Sequence, residues 1–350
     1  MDNFVRKRDL TDNHERRKNL KMQPLSKPQS RPPVAAPSNA APKTAEDFAV
    51  TPSKVTPLTA PRATVRRLSD PAKAGVRIFL YGPSGSGKSY FAKELLARGF
   101  RIVFLSTDIG GSGMAAVEGP LRREGKLDAL DNGVDIEIRD YATTMKFLEK
   151  PESIWPEIYD FDPDIIFWDG FGAFQQIELM EYVGDMSGGK KSTEQRESGL
   201  QLEQRDWGLV KQATIRMLDR FCSLHNPKTG KVWHKILTAH EAIKSVSNGD
   251  ASVLTETKEP LLSGAGGVLS KGAFDLILKT SVRKAKSGET GDDGGRVFEY
   301  VTAGHQNLAA KNRGFDLPPV VPGDGGALFT TLLEQRGLTK DQLDASLKRG

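Results

Sequence analysis

Short apolar runs recur along the chain from residue 76 onward, and each has the length of a buried strand. The clearest are Val76–Tyr81 and Asp164–Trp168, in which nearly every position is apolar or β-forming. Continuous runs of this kind, bounded by turn residues, are typical of strands that are covered on both faces. The pattern predicts strands at Val76–Tyr81, Arg101–Leu105, Val134–Arg139, Asp164–Trp168, Trp233–Ala239, Ala273–Lys279 and Arg296–Thr302.

Segments with helical spacing of apolar residues separate most of these strands. The spacing predicts helices at Ser89–Ala97, Ala142–Glu149, Pro151–Tyr159, Trp207–Phe221, Thr330–Gln335 and Lys340–Leu347. Strands that alternate with helices predict an α/β fold with a mainly parallel central sheet, covered by helices on both faces. The last two strands flank the turn-rich Gly288–Gly295, which predicts a hairpin and hence antiparallel strands at one edge.

Polar stretches interrupt this pattern in three places. Residues 171–205 and 244–268 carry little core signal, and we expect loops there. Residues 1–75 hold 10 of the 20 prolines and few aromatic residues, which predicts a disordered arm. We therefore expect an arm at 1–75, a folded α/β domain at 76–320 and a helical extension at 321–350.

Charge is distributed unevenly between the arm and the rest of the chain. Residues 1–75 contain 15 basic and 7 acidic residues, whereas the whole chain has a net charge of only +5. A basic arm suits nucleic acid, although a solubilising tail has the same composition. The single cysteine, Cys222, excludes a disulfide framework within the chain, and no apolar run is long enough for a membrane span. We expect a soluble protein of the cytoplasm.

The sequence between the first strand and the first helix matches the phosphate-binding pattern G-x-x-x-x-G-K-[ST] in full. Its glycines allow backbone amides to approach phosphate oxygens, and the following helix directs its positive end at the same anion. Lys88 would neutralise the β- and γ-phosphates, and the Ser89 hydroxyl would bind Mg²⁺. The predicted nucleotide-binding residues are Gly82, Pro83, Ser84, Gly85, Ser86, Gly87, Lys88, Ser89 and Tyr90.

Two acidic residues follow predicted strands of the same sheet. Asp169 ends the strand Asp164–Trp168, where a carboxylate can hold Mg²⁺ beside Ser89, although Asp169-Gly170 is also a common turn dipeptide. Asp108 follows the second strand and is a candidate to polarise the attacking water, with helix capping as the alternative. The carboxyl ends of parallel strands meet at one edge, so we expect both near the phosphates.

Three further candidates lie later in the chain. His240 ends the predicted fifth strand and would sense the γ-phosphate, unless it is an ordinary surface histidine. Lys311 and Arg313 project to one side of an extended segment and would reach a neighbouring subunit's triphosphate, or they belong to a solvated loop. The Gly/Lys-rich Ser187–Lys191 and the region Lys244–Lys271 suit a phosphate backbone, but flexible insertions have the same character.

In their order along the chain, these motifs resemble the core of RecA and RadA, over about residues 76–320. The chain is most similar to phage-encoded RecA-like nucleotide-binding proteins implicated in single-strand annealing. The matching segments are the P-loop at 82–89, the acidic turn at Asp108, the strand ending in Asp169-Gly170, the strand ending in Thr238-Ala239-His240, and the late Lys311-Asn-Arg313.

The resemblance implies a role for each matching position. Asp108 stands where RecA usually has its catalytic glutamate, and His240 stands where RecA has a glutamine that links γ-phosphate to DNA. Lys311 and Arg313 fall on the cationic pair that acts across subunits, which implies a ring or filament. Residues 171–205 and 244–268 fall on the two DNA-binding loops.

The sequence thus predicts a RecA-like ATPase that uses ATP and Mg²⁺, binds single-stranded DNA and forms a homo-oligomer. We expect it to act with phage recombination or replication partners, in the host cytoplasm if it is phage-encoded, and away from any membrane. Two other function classes stay open. A small-molecule kinase would need an Arg-rich lid, for which Arg122-Arg123 is the candidate, and a non-catalytic module would use nucleotide only to stabilise an assembly.

Overall fold

The computed structural model describes residues 75–107, 112–179, 182, 204–247, 254–262, 272–289, 292, 295–304 and 308–338. The strands are β1 Arg77–Gly82, β2 Ile102–Ser106, β3 Gly133–Glu137, β4 Ile165–Asp169, β5 His234–Ser247, β6 Leu254–Pro260, β7 Leu276–Lys284, β8 Arg296–Val301, β9 Lys311–Asn312 and β10 Val320–Pro322. Residues 1–74 of the predicted arm, most of the polar stretch 171–205, residues 248–253 and 263–268 of the stretch 244–268, Asp108 and the predicted helix Lys340–Leu347 lie outside the described residues.

Helices of varied length connect these strands. The α-helices are α1 Lys88–Ala97, α2 Ser112–Arg123, α3 Tyr141–Glu149, α4 Ile158–Phe161, α5 Phe171–Phe174, α6 Gln204–Ser223 and α7 Gly325–Gln335. Two 3₁₀ segments, Leu127–Asn132 and Pro151–Ser153, and one π-helical segment, Gln175–Leu179, complete the regular structure of the described residues. None of the described helices is long and apolar enough to cross a membrane.

The strands form one sheet in the order β10-β8-β7-β1-β5-β4-β2-β3. Neighbours from β7 through β3 run parallel, whereas β8 and β10 are antiparallel additions beyond β7. The prediction of a mainly parallel sheet with a late antiparallel hairpin is confirmed.

Helices cover both faces of the sheet because alternate residues of the central strands point in opposite directions. On β1, Phe79 lies in the core cluster that contains Trp168 and Phe221 of α6. Ile78, next to it, lies in the second cluster with Phe91 of α1. These side chains are fully buried, and each such burial stabilises the fold by roughly 1.5–3 kcal/mol. This confirms the prediction of two covered faces.

Helix α7 begins five residues earlier than the predicted Thr330–Gln335 and belongs to the core of the second face. Its residues Phe329 and Leu332 are fully buried in the cluster that contains Phe91. The Asp324 side chain accepts a hydrogen bond from the backbone N–H of Ala327 at 3.0 Å and caps the helix. The last described helix therefore packs on the sheet.

The predicted helix Pro151–Tyr159 is wrong. The structure has a 3₁₀ turn at Pro151–Ser153 and then a separate short helix, α4. Pro156 explains the break, since proline has no backbone N–H and disfavours the helical conformation at Trp155 before it.

The prediction of a loop from residue 244 is wrong for the strand residues, and His240 does not end its strand. β5 continues to Ser247 and pairs antiparallel with β6, so that Glu241 lies opposite Pro260 and Ser247 opposite Leu254. We call this extension, 241–247 with 254–260, the ribbon. It extends beyond the strands that flank β5, so its residues need not be apolar and the sequence shows no core signal.

Helix α2 has no counterpart among the predicted helices. It contains Gly113, Gly119 and Pro120, which are poor helix formers. It is held by packing instead, because Val117 and Leu121 are buried in the same core cluster as α1.

Candidate functional site

The phosphate-binding loop lies between β1 and α1, where the sequence predicts it. β1 ends at Gly82 and α1 begins at Lys88. Gly85 and Gly87 have φ angles of 74° and 98°, a left-handed conformation that residues with a Cβ rarely adopt. Glycines therefore occupy the positions of the motif where the backbone is left-handed. The loop follows the carboxyl end of β1 and lies at that edge of the sheet.

Thr280 of β7 supports this loop from the side. Its hydroxyl lies 2.6 Å from the Ser86 hydroxyl, and both residues are buried. A Cβ at position 82 would lie 2.4 Å from the same Thr280 oxygen, so only glycine fits there. The neighbouring strand thus holds the first and the middle part of the loop.

The Lys88 ammonium folds back across the loop. Its Nζ donates to the carbonyl oxygens of Gly82 at 3.0 Å and Pro83 at 2.9 Å. These bonds place the positive charge within the loop, as the predicted contact with β- and γ-phosphates requires.

Asp169, at the end of β4, lies beside Ser89 at the start of α1. The Ser89 hydroxyl donates to Asp169 Oδ2 at 3.2 Å, although β5 separates β4 from β1 in the sheet. The second carboxylate oxygen, Oδ1, accepts from the hydroxyl of Thr238 on β5. Thr238 in turn accepts from the backbone N–H of Gly170 at 3.0 Å, which fixes the carboxylate.

The pair Ser89 and Asp169 fits Mg²⁺ as the sequence predicts. Both offer the hard oxygen ligands that this ion prefers, and Mg²⁺ usually takes one or two carboxylates plus phosphate and water. Within the described ranges there is no cluster of three or more His, Cys, Asp or Glu that would form an all-protein metal site. A bound Mg²⁺ would complete its coordination beside Ser89 and Asp169 with phosphate oxygens and water.

A cleft of about 480 Å³ joins these groups. His240 lines it and lies level with Gly82 in the register of β5 and β1. The cleft walls come from the loop, the helix α2, the end of β4, the middle of β5 and the β8 side: Ser84, Gly85, Gly87, Lys88, Ser89, Tyr90, Gly113, Ala115, Ala116, Pro120, Arg123, Glu124, Asp169, Gly170, Thr238, Ala239, His240, Asp292, Arg296 and Phe298. Most of the predicted nucleotide-binding residues meet here.

Of the other predicted site residues, Lys311 and Arg313 are not brought to this cleft. Asp108 lies outside the described residues. Lys311 pairs with Ile277 on β7, level with Phe79 near the amino end of β1, and its Nζ donates to the carbonyl of Phe274 at 2.8 Å. Arg313, two residues further on, donates its N–H to the carbonyl of Asp275, which in turn bonds to Arg77 at the start of β1, so Arg313 lies towards the sheet edge opposite the phosphate loop.

Comparison with known families agrees with this geometry. The family model described as AAA domain matches residues 74–314, about two thirds of the chain. The chain belongs to the AAA domain family. No curated protein matches the sequence.

As a member of this family, the AAA domain is a nucleotide-binding P-loop ATPase, which confirms the coarser part of the sequence prediction. The RecA-like affiliation and the annealing role stay predictions, because the match identifies the AAA domain family and no narrower group within it.

Two residues that contact the phosphate loop of the AAA domain were not predicted from the sequence. Thr280 and Phe298 come from β7 and β8, and only the sheet order places these strands beside the loop. A Cβ on Gly87 would lie 2.4 Å from Phe298 Cδ1, so this ring packs directly on the loop. The hairpin signal found the two strands, but no local pattern indicates which strand they would pair with.

Charged side chains of α1 lie beside Tyr90. Burial, and then the charge of Glu94, raises the pKa of Tyr90 to about 12, so the phenol stays neutral. Burial by itself would lower the pKa of Lys93, but its bonds to Glu124 and Glu94 raise it. The Lys93–Glu124 ion pair, at 2.5 Å, ties α1 to the end of α2 across the cleft wall.

Proposed function

We propose that this AAA domain is a RecA-like ATPase whose nucleotide state controls its hold on single-stranded DNA. It would act as a homo-oligomer in recombination, annealing or replication of the phage type, with ATP and Mg²⁺ in the cleft. The observation that carries the proposal is the continuity of β5, which runs without a break from Thr238 at the metal-binding carboxylate into the ribbon.

The base of the ribbon is tied to the cleft by several bonds. Leu261, just after β6, donates its N–H to the carbonyl of His240 at 2.7 Å. Glu241 forms an ion pair with Lys279 of β7 at 3.3 Å. A shift of Thr238 or His240 on nucleotide binding would therefore move the ribbon. This movement would couple the state of the nucleotide to DNA binding.

The ribbon by itself is a poor electrostatic partner for DNA. Its residues include Glu241, Glu256 and Glu259, against Lys244 and Lys258. The positive charge of the chain lies instead in residues 1–75, with a net charge of +8. In this proposal the arm attracts the phosphates of DNA, and the ribbon changes position with the state of the bound nucleotide.

The position of Lys311 and Arg313 supports an oligomer. Their backbone is fixed, since Arg313 donates its N–H to the carbonyl of Asp275 at 3.0 Å. In their own chain they lie towards the amino end of β1, away from the phosphate loop. A neighbour's nucleotide is then the ligand that they would reach.

Phosphate release with and without single-stranded DNA tests the proposal. We expect the wild-type protein to hydrolyse ATP with Mg²⁺ and to do so faster with DNA, while Lys88→Ala binds and hydrolyses no ATP. The exposed Lys126→Ala serves as the control for loss of one positive charge. Hydrolysis that is unaffected by DNA, together with no DNA binding in the presence of ATP, would exclude a DNA-linked ATPase. A phosphorylated small acceptor would identify a kinase.

A further inference from the structure

The cleft has two sides, which belong to different parts of the sheet. Asp169 comes from β4, two strands from β1 on one side, and Phe298 comes from β8, two strands from β1 on the other. At about 4.8 Å per strand these two strands lie roughly 19 Å apart. The phosphate loop lies between them.

Phosphate binding by the loop determines how a nucleotide is oriented in the cleft. A P-loop places the terminal phosphate and its metal ion beside the Ser and the acidic residue, which here are Ser89 and Asp169. The α-phosphate and nucleoside must then leave the loop on the side away from Asp169. That side is lined by Tyr90, Phe298 and Arg296.

These three residues form a preorganised wall. The rings of Tyr90 and Phe298 lie with centroids 4.4 Å apart and planes tilted by 30°. Phe298 is only 6% exposed, whereas Tyr90 is half-buried, so Phe298 backs the more open Tyr90 ring. The Arg296 guanidinium carbon lies 5.8 Å from the Phe298 centroid. Asp292 holds this guanidinium at 2.6 and 2.9 Å.

We propose that Tyr90, Phe298 and Arg296, which we call the nucleoside wall, form the binding site for the base of the nucleotide. The base stacks against the aromatic pair, and the guanidinium lies at its edge. Aromatic faces and guanidinium planes are the groups on which nucleobases stack in proteins. A purine offers the larger face, so the wall favours purine over pyrimidine nucleotides. This inference rests on the nucleotide-binding function of the same cleft.

Comparison of ATP with inorganic tripolyphosphate, both with Mg²⁺, tests the wall. The two ligands share the phosphates and differ in the nucleoside. Calorimetry on the full chain should show that Tyr90→Leu, Phe298→Leu and Arg296→Gln each weaken ATP binding, by about fivefold or more for the two aromatic variants. Tripolyphosphate binding should stay as in the wild type in Tyr90→Leu and Arg296→Gln, whereas Phe298→Leu also removes a ring that packs on the loop at Gly87. Because Phe298 is buried, the more open Tyr90 and Arg296 provide variants that keep the core intact.

Tyr182→Leu is the matched control, because Tyr182 also belongs to a stacked pair, with Tyr141 at 4.2 Å, but does not line the cleft. It should bind ATP as the wild type does. Unchanged ATP binding in Tyr90→Leu and Arg296→Gln would overturn the nucleoside wall. Equal losses of ATP and tripolyphosphate would also overturn it, since the wall would then support only the loop. Wild-type protein that binds neither ligand would instead overturn nucleotide binding itself.

The preference between bases is a second measurement on the same proteins. Wild-type protein should bind ATP and GTP more tightly than CTP and UTP, and the difference should shrink in Tyr90→Leu. Equal binding of all four triphosphates by the wild type would contradict stacking as the source of affinity.

Discussion

Single hydroxyl groups determine the orientation of the Asp169 carboxylate. Its two carboxylate oxygens accept from Ser89 of the P-loop helix and from Thr238 of the intervening strand. Its backbone carbonyl accepts from the Thr107 hydroxyl at 2.7 Å. The carboxylate is therefore oriented before any ion binds, and Thr238 is a positioning residue rather than a metal ligand.

We expect Thr238→Val to lower kcat by roughly ten- to a hundredfold, because Asp169 would lose the partner that fixes its orientation. The buried N–H of Gly170 would also lose its acceptor, which costs about 1–3 kcal/mol of unfolding free energy. Steady-state kinetics and urea unfolding measure the two effects.

Thr214→Val is the matched control for this substitution. The Thr214 hydroxyl is buried on α6, where it donates to the carbonyl of Val210 at 2.8 Å, and it lies outside the cleft. It should lose stability while its kcat stays at the wild-type value. A Thr238→Val protein with normal kcat would show that Thr238 is only structural.

At the scale of elements, β5 serves two purposes along its length. Its first seven residues include Thr238 and His240 of the cleft, and its last seven, 241–247, belong to the ribbon. Its amino end is anchored by His234, whose Nδ1 accepts from the backbone N–H of Val76 at 2.9 Å. Burial, and then the charges of Lys235, Lys231 and Arg336, lower the pKa of His234 to about 3. The imidazole is therefore neutral in the folded state.

This histidine should make the stability of the domain depend on pH. In the unfolded chain its pKa is about 6.5, so below that pH the unfolded state binds the proton and the folded state does not. The contribution of neutral His234 to the free energy of unfolding is fully present above pH 6.5. It is lost as the pH falls towards 3, by up to about 1.4 kcal/mol per pH unit.

His234→Asn removes the titration while it keeps an acceptor near Val76. Over this pH window we expect its unfolding free energy to fall less steeply than that of the wild type, although other groups contribute to both curves. Urea unfolding at several pH values measures the slopes. Parallel slopes for the two proteins would contradict a neutral His234 in the folded state.

At the scale of the whole molecule, the opposed positions of the phosphate loop and the Lys311–Arg313 segment predict function across subunits. A Lys311→Ala/Arg313→Ala double variant should bind ATP nearly normally but hydrolyse it poorly. Mixing it with Lys88→Ala protein should restore part of the hydrolysis, because some interfaces then combine an intact loop with intact cations.

Each variant alone is the control for this mixture, and co-assembly is checked by mixing labelled subunits. A mixture that co-assembles but stays as inactive as its two components would show that Lys311 and Arg313 do not act on a neighbour's nucleotide.

The basic arm gives a second prediction at this scale. Deletion of residues 1–72 should leave ATP binding unchanged and weaken binding to single-stranded DNA, most of all at low salt, because screening reduces the contribution of exposed charges. Titrations of DNA at several salt concentrations give the affinity and its salt slope. If both stay unchanged in the truncated protein, the arm is only a solubilising tail.

The sequence by itself determined the class of fold and the phosphate-binding loop. Strands that are buried on both faces must be apolar throughout, and a loop that wraps phosphate needs glycine at fixed positions, as Gly82, Gly85 and Gly87 show. These are local requirements, so they appear in the local pattern. Asp169 was also found, since it directly follows such a strand.

Tertiary structure alone decided which strands became neighbours, and with them the walls of the cleft. Thr280 and Phe298 reach the loop only because β7 pairs with β1 and β8 pairs with β7. Helix α2 forms against its weak local propensity because Val117 and Leu121 are buried against α1. The ribbon carries no core signal, because it extends beyond the strands that flank β5. Pairing over long distances and packing leave no local pattern in the chain, and the structure was needed to reveal them.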